Sequence, residues 1–226
     1  MLPGPARNAQ PAWLSEPLAR VWTVSVRQCL RLACIGDKRY PVNMKSVTYV
    51  ALLRGVNVGG NTIISMEELR KTFASLGFAN VRTILASGNV VFDAVGTDRA
   101  VLTANIEQKL KRKFDFEISV LLRTAEEIQE LLAAKPFQHV KMTPQTRLHV
   151  SFLPPDSEQG LKASGQLIGA GFETFRLSRG EVCSVVEVTP QSGTTDLMKA
   201  LEKHFGKRIT TRTWNTVERI AAVLQA

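Results

Sequence analysis

Cysteine, histidine and aromatic side chains are scarce in this chain, with three Cys, three His and 7% aromatics among 226 residues. Each shortage excludes something. Cys29 and Cys34 lie near the start and only Cys183 lies further on, so no disulfide framework can staple the main body. Cys29 and Cys34 have no neighbouring second cluster of Cys or His to complete four zinc ligands. Cys183 sits in an alternating apolar run and reads as a strand residue. No uninterrupted apolar stretch reaches the ~20 residues of a spanning helix, which excludes a membrane-embedded protein. Paired carboxylates, a nucleophile elbow and metal-spaced His and Glu pairs are all missing, which argues against hydrolase and metalloenzyme chemistry. His139, His149 and His204 stand apart in sequence. His149 alternates with apolar strand residues and so faces outward or is a half-buried ring. An RNA-recognition platform needs aromatics on two central strands, for which only Tyr49 and Phe92 are candidates.

Apolar content is ample, at 44%, for one large domain or two small ones. The formal charge is +9. Residues 1–43 hold Arg7, Arg20, Arg27, Arg31, Lys38 and Arg39 against Glu16 and Asp37, so the remainder is only mildly basic. Five prolines also crowd that leader, and Arg27 and Arg31 interrupt its most apolar part, which a secretory segment would tolerate poorly. Met44 directly precedes the first strand. The leader therefore reads as an N-terminal extension or the product of a misassigned upstream start, the rival reading being an arginine-rich targeting or partner-binding helix.

From Met44 onward the periodicities alternate. Val47 to Leu53 reads as a buried strand. Ser65-x-x-Glu68 forms a capping-box pattern, with Ile64 and Leu69 as its staple and Met66, Leu69, Phe73 and Leu76 on one helical face. Short strands at Val81–Leu85 and Val90–Phe92 flank the turn Ser87-Gly88-Asn89. Leu102, Ile106, Leu110 and Phe114 mark a second helix, and Phe116, Ile118, Val120 and Leu122 alternate as a strand. Thr124-x-x-Glu127 caps a short helix that ends at Lys135-Pro136. The order then recurs: a strand through Leu148, Val150 and Phe152, a weaker helix over 156–168, a hairpin about Ser178-Arg179-Gly180, a helix with Leu197, Leu201 and Phe205, a strand at Ile209–Thr211, and a closing helix over Trp214–Leu224. A doubled βαββαβ pattern predicts an α+β protein of two tandem ferredoxin-like α-β plaits with a C-terminal helix, over residues 44–134 and 135–226.

The richest local signal is the strand that runs into Arg54-Gly55-Val56-Asn57-Val58-Gly59-Gly60-Asn61 ahead of a helix. Three glycines free the backbone, and Arg54, Asn57 and Asn61 add donors suited to an anion. The spacing fits neither a Walker loop nor a dinucleotide fingerprint. Either the loop holds an anionic group at the helix start, or its glycines serve close packing. A second candidate, Thr211, Arg212, Trp214 and Asn215, follows Lys203, Lys207 and Arg208. It reads either as a binding surface or as a capped helix start anchored by Trp214. Gln191-Ser192-Gly193-Thr194-Thr195 suits ordinary N-capping. The Ser87 hairpin is expected at the sheet end opposite the Arg54 loop, and thus as a turn only.

Three blocks, Ala51 to Gly60, Ser87 to Phe92 and Thr210 to Val217, resemble the signatures of the bacterial family called domain of unknown function 1697. Thr213 stands where that family's pattern has asparagine. The resemblance spans essentially Met44 to Ala226 and implies paired α-β plaits with no established activity. The residues themselves favour a cytoplasmic binding module, without cofactor or metal, for a phosphate-bearing small molecule or nucleic acid. The ligand would be held by Arg54, Gly55, Asn57, Gly59, Gly60, Asn61, Thr211, Arg212, Trp214 and Asn215. The alternatives are a small-molecule enzyme with its site in the cleft between the plaits and a structural or oligomer-forming protein; whether the chain is an enzyme, and its oligomeric state, stay open at this level.

Overall fold

The computed structural model describes residues 46–57, 63–95, 98–157, 167–178 and 180–225, all within the compact unit Lys38–Ala226. The readings of the leader with Cys29 and Cys34, of Gly59, Gly60 and Asn61, and of most of the 156–168 helix lie outside the described residues.

Among the described residues the chain is a mixed α/β structure with two antiparallel sheets and five α-helices. The first part runs β1 (Ser46–Leu53), α1 (Met66–Ala74), β2 (Ala79–Ile84), β3 (Asn89–Val95), α2 (Arg99–Phe114), β4 (Val120–Thr124) and α3 (Ala125–Ala133). The second runs β5 (Thr146–Phe152), the two-residue β6 (Ile168–Gly169), β7 (Phe172–Ser178), β8 (Glu181–Glu187), α4 (Thr194–Phe205), β9 (Thr210–Thr213) and α5 (Trp214–Gln225). The strand before α3 is shorter than the alternation from Phe116 predicts. Ile118 nonetheless joins the core and Phe116 packs against it.

The sheets have orders β2-β3-β1-β4 and β6-β7-β8-β5-β9. With β6 set aside, β5, β7, β8 and β9 take the places of β1, β2, β3 and β4. The registers coincide too, because Val50 faces Arg123 across β1 and β4, and Val150 faces Arg212 across β5 and β9. Both final strands pass without a loop into a helix, at Thr124–Ala125 and Thr213–Trp214.

Strand alternation sends successive side chains to opposite faces and builds three cores. Tyr49, Ala51, Leu53 and Phe92 of the first sheet pack with Leu69 and Phe73 of α1 and Leu102, Ile106 and Leu110 of α2. The opposite face, through Val50, Leu52, Val91 and Leu121, shares a core with Val150, Phe152 and Cys183 of the second sheet and with Ile128, Leu131, Val217 and Ile220 of α3 and α5. Apolar side chains thus fill the space between the sheets, and the alternative site in a cleft there finds no room among the described residues. Leu153, Val182 and Val186 on the second sheet's far face pack against Leu197, Leu201 and Phe205 of α4.

Of the two expected capping boxes, one forms. Thr124 Oγ1 accepts from the Glu127 amide at 3.2 Å and the Thr124 amide donates to Glu127 Oε2 at 2.7 Å. At α1, Ser65 is the N-cap but its side chain makes no capping bond, and Glu68 turns instead to Lys113 at 3.3 Å. The staple there does hold, since Ile64 and Leu69 are buried in one core.

Candidate functional site

The Ser87 hairpin corrects one expectation. Strands β1 and β2 both run antiparallel to β3, so they point the same way and leave the sheet at the same end. The hairpin therefore lies beside the loop after β1, and the Leu53 amide donates to the Gly88 carbonyl at 2.8 Å. Gly88 has φ +70, and a Cβ there would stand 3.0 Å from Leu53 Cβ and 3.3 Å from Val56 Cβ, so glycine is required on both counts. Asn57, itself at φ +57, binds the two sides of the loop together. Its Oδ1 accepts from the Ile64 amide at 2.7 Å, while its Nδ2 donates to the carbonyls of Ile64 at 3.0 Å and Ala86 at 2.7 Å. Gly55, at φ +69, is exposed.

Arg212 is 8% exposed and reaches this same end from β9. Its Nε donates to Asn89 Oδ1 at 2.6 Å, its Nη1 to Thr210 Oγ1 and the Thr211 carbonyl at 2.8 and 2.9 Å, and its Nη2 to the carbonyls of Leu53 and Gly88 at 2.6 and 3.5 Å. A guanidinium has five N–H donors, and all five are engaged within the protein. Burial pushes the Arg212 pKa down to about 10, which leaves it cationic at neutral pH. The physical reason for such a residue is that strand ends and tight turns leave carbonyls that must be paired when buried.

Arg123 mirrors it. From β4 its Nε donates to Glu181 Oε1 at 2.6 Å, its Nη1 to its neighbour's carbonyl at Leu122, and its Nη2 to the carbonyls of Leu153 and Gly180 at 2.9 and 3.0 Å. Leu153, the residue after β5, is the counterpart of Leu53 at the end of β1, and Gly180-Glu181 opens β8 as Gly88-Asn89 opens β3. Each sheet's last strand thus sends an arginine into the turn end of the other sheet. An Arg-Thr pair ahead of a helix, at 123–124 and 212–213, is the signal in the sequence that marks the repeat.

Arg54, about a third exposed, donates to the Ile209 carbonyl at 3.0 Å and to Glu202 Oε1 at 2.6 Å. Thr211 Oγ1 pairs with Ser151 Oγ at 2.7 Å. Trp214 meets Phe137 edge-on at 5.1 Å in the shared core. Asn215 is exposed and accepts from Arg219 Nε at 3.2 Å. Arg54, Asn57 and Arg212 gather at one sheet end, each hydrogen-bonded within the protein, whereas Asn215 bonds along its own helix. Cys183 is buried, and its thiol is pushed up to about 12 by burial and by Glu181, so it is no nucleophile at neutral pH.

An open, charged concavity lies at the corresponding end of the second sheet. It measures about 360 Å3 and is lined by Pro154, Ser157, His204, Phe205, Gly206, Lys207 and Arg208. Alignment of Leu53 with Leu153 puts Pro154 at the counterpart of Arg54, so this cleft lies where the chain leaves the second sheet after β5. Gly206, at φ +79, turns the chain out of α4 and presents exposed His204, Lys207 and Arg208 beside exposed Lys203. Basic residues also complement the negative C-terminal end of the α4 dipole. Lys203, Lys207 and Arg208 are evident in the sequence as a basic run. Pro154 and Ser157 emerge as part of the site only once the two strand ends are superposed.

A family model described as a protein of unknown function (DUF1697) matches residues 46–182. Two of the three sequence blocks fall inside that span and the Thr210 block lies beyond it. The solved structure of conserved bacterial protein SP0830 from Streptococcus pneumoniae is similar at a TM-score of 0.65 and 24% identity, covering 80% of this chain and 100% of that one, a likeness of fold. No curated protein matches. Among the described residues no helix is long and apolar enough to cross a membrane.

Proposed function

The chain belongs to the DUF1697 family of proteins of unknown function, and from that premise we propose that it is a binding module for a small phosphate-bearing ligand. The carrying observation is the cleft of about 360 Å3 with His204, Lys207 and Arg208 on its wall. Its size suits a small molecule, for which pockets of roughly 300–1,000 Å3 are usual. Lys207 and Arg208 supply the charge, and Arg54 acts at one remove by fixing Glu202 and the Ile209 carbonyl behind the turn. Asn57, Thr211 and Arg212 spend their polar groups on other parts of the protein, and Trp214 packs in the shared core, so in this reading they support the fold rather than the ligand. In this reading residues 44–134 and 135–226 are two ferredoxin-like plaits, supported by the matching strand orders, and the protein works in the cytoplasm.

Calorimetric titration with pyrophosphate and a nucleoside monophosphate at low salt tests the proposal. Binding should weaken as salt rises and fall by about a hundredfold, roughly tenfold for each lost charged contact, when Lys207 and Arg208 are both changed to Ala. Absence of binding at low salt, or binding indifferent to the double change, overturns it. A short single-stranded RNA bound far more tightly than either small probe would replace the small ligand with nucleic acid.

A further inference from the structure

Superposed on Val50 and Val150, the two sheets carry different chemistry beneath α2 and α4. In the first, Tyr49 and Phe92 face each other in register and stack with centroids 5.8 Å apart. Their counterparts in the second sheet, also in register, are His149 and Ser184. Ser184 lies between Val182 and Val186 on the face that packs against Leu197 and Leu201, so its hydroxyl is directed toward α4. It is fully buried, and Ser184 Oγ is the one buried side-chain N or O without a hydrogen-bond partner among the described residues. Such a group is costly to leave unpaired and calls for a reason.

His149, 6% exposed, points Nε2 to within 3.5 Å of Thr194 Oγ1, the first residue of α4. Burial, and then the nearby Arg147 charge, hold its pKa below the usual histidine range, so the ring is neutral at pH 7. The N-cap of α4 is Gly193, which has no side chain to offer the helix. Asp196 Oδ2 takes the Gly193 amide at 3.1 Å and the Asp196 amide returns to the Gly193 carbonyl at 3.1 Å. The amides of Thr194 and Thr195 stand in the first turn, ahead of any intrahelical acceptor, at the positive end of the dipole. Ser192, Gly193 and Thr194 at this helix start are half-buried.

We propose that the N-terminus of α4 and the His149–Ser184 pair form a second site, distinct from the basic cleft, for a small oxyanion such as a phosphate group. Its ligands are Ser184 Oγ, Thr194 Oγ1, His149 Nε2 and the amides of Thr194 and Thr195. The unpaired Ser184 hydroxyl gains its acceptor only when the anion is present.

The test is an amide and imidazole chemical-shift titration of the whole chain with inorganic phosphate and, separately, with glycerol phosphate. Shifts at Thr194, Thr195 and the His149 ring with either probe, weakened about tenfold in Ser184→Ala, support the site. A response to inorganic phosphate alone identifies the free ion as the occupant, and a response to glycerol phosphate alone identifies the ester. The double change His149→Tyr with Ser184→Phe, which installs the first sheet's own pair, should abolish the response. If that variant fails to fold, Ser184→Ala alone decides. Shifts confined to Lys207 and Arg208, no response to either probe, or equal affinity in Ser184→Ala overturns the proposal.

Discussion

Tyr49 and Phe92 close the centre of the first sheet with stacked rings, and Phe73 and Phe78 crowd Phe92 at 5.4 and 4.5 Å. The second sheet keeps the same strand order and register but puts His149 and Ser184 at those positions. The strand path therefore tolerates a change from aromatic packing to polar groups on one face. What both sheets retain is the shared apolar face and an arginine at each turn end. Architecture resides in those common parts, which leaves the α4 face of the second sheet open to chemistry that the first cannot perform.

Substitutions that erase or exaggerate this contrast should differ in size. Phe92→Ala removes a ring with three aromatic neighbours and is expected to cost near the upper end of about 3–5 kcal/mol in a denaturant titration. Arg123→Ala takes a guanidinium from a buried carboxylate and three carbonyls, for a loss of about 3 kcal/mol, the low end for breaking a buried pair. Arg212→Ala strands neutral acceptors only and should cost about 2 kcal/mol, within the range for an unmet buried group. A larger loss for Arg212 than for Arg123 would show that the carbonyl clamp outranks the ion pair. Ser184→Ala should stabilise the ligand-free protein by about 1 kcal/mol by deleting an unpaired hydroxyl, read as a raised Tm.

His149 adds a pH dependence that Tyr49 cannot. Its folded pKa lies below its unfolded value, so in the window between them the unfolded chain binds the extra proton. Stability from this residue is unaffected above about pH 6.5, then declines as pH falls toward the lowered folded value. Denaturation midpoints measured from neutral pH downward should show that decline, and His149→Tyr should flatten it.

The order of elements in the first part was legible because strand and helix periods differ so sharply, as the runs Val47–Leu53 and Leu102–Phe114 illustrate. The family resemblance was legible from three short blocks. The role of Arg212 was not, because a sequence displays donors and conceals their acceptors; the carbonyls of Leu53 and Gly88 become partners only when the sheets meet. The Ser87 hairpin lies beside the Arg54 strand end, and not opposite it, because β1 and β2 share a direction that pairing with β3 imposes. The polar pair is hidden in the sequence because His149 and Ser184 are 35 positions apart, and only alignment on Val50 and Val150 exposes them as replacements for Tyr49 and Phe92.

The reciprocal arginines also impose a timetable on a chain emerging from the ribosome. Arg123 finds Leu153 and Gly180 only 30 and 57 positions later. Leu53 and Gly88, made first, wait 159 and 124 positions for Arg212. The turn end of the earlier sheet is thus sealed only after β9 has been made, long after its own carbonyls.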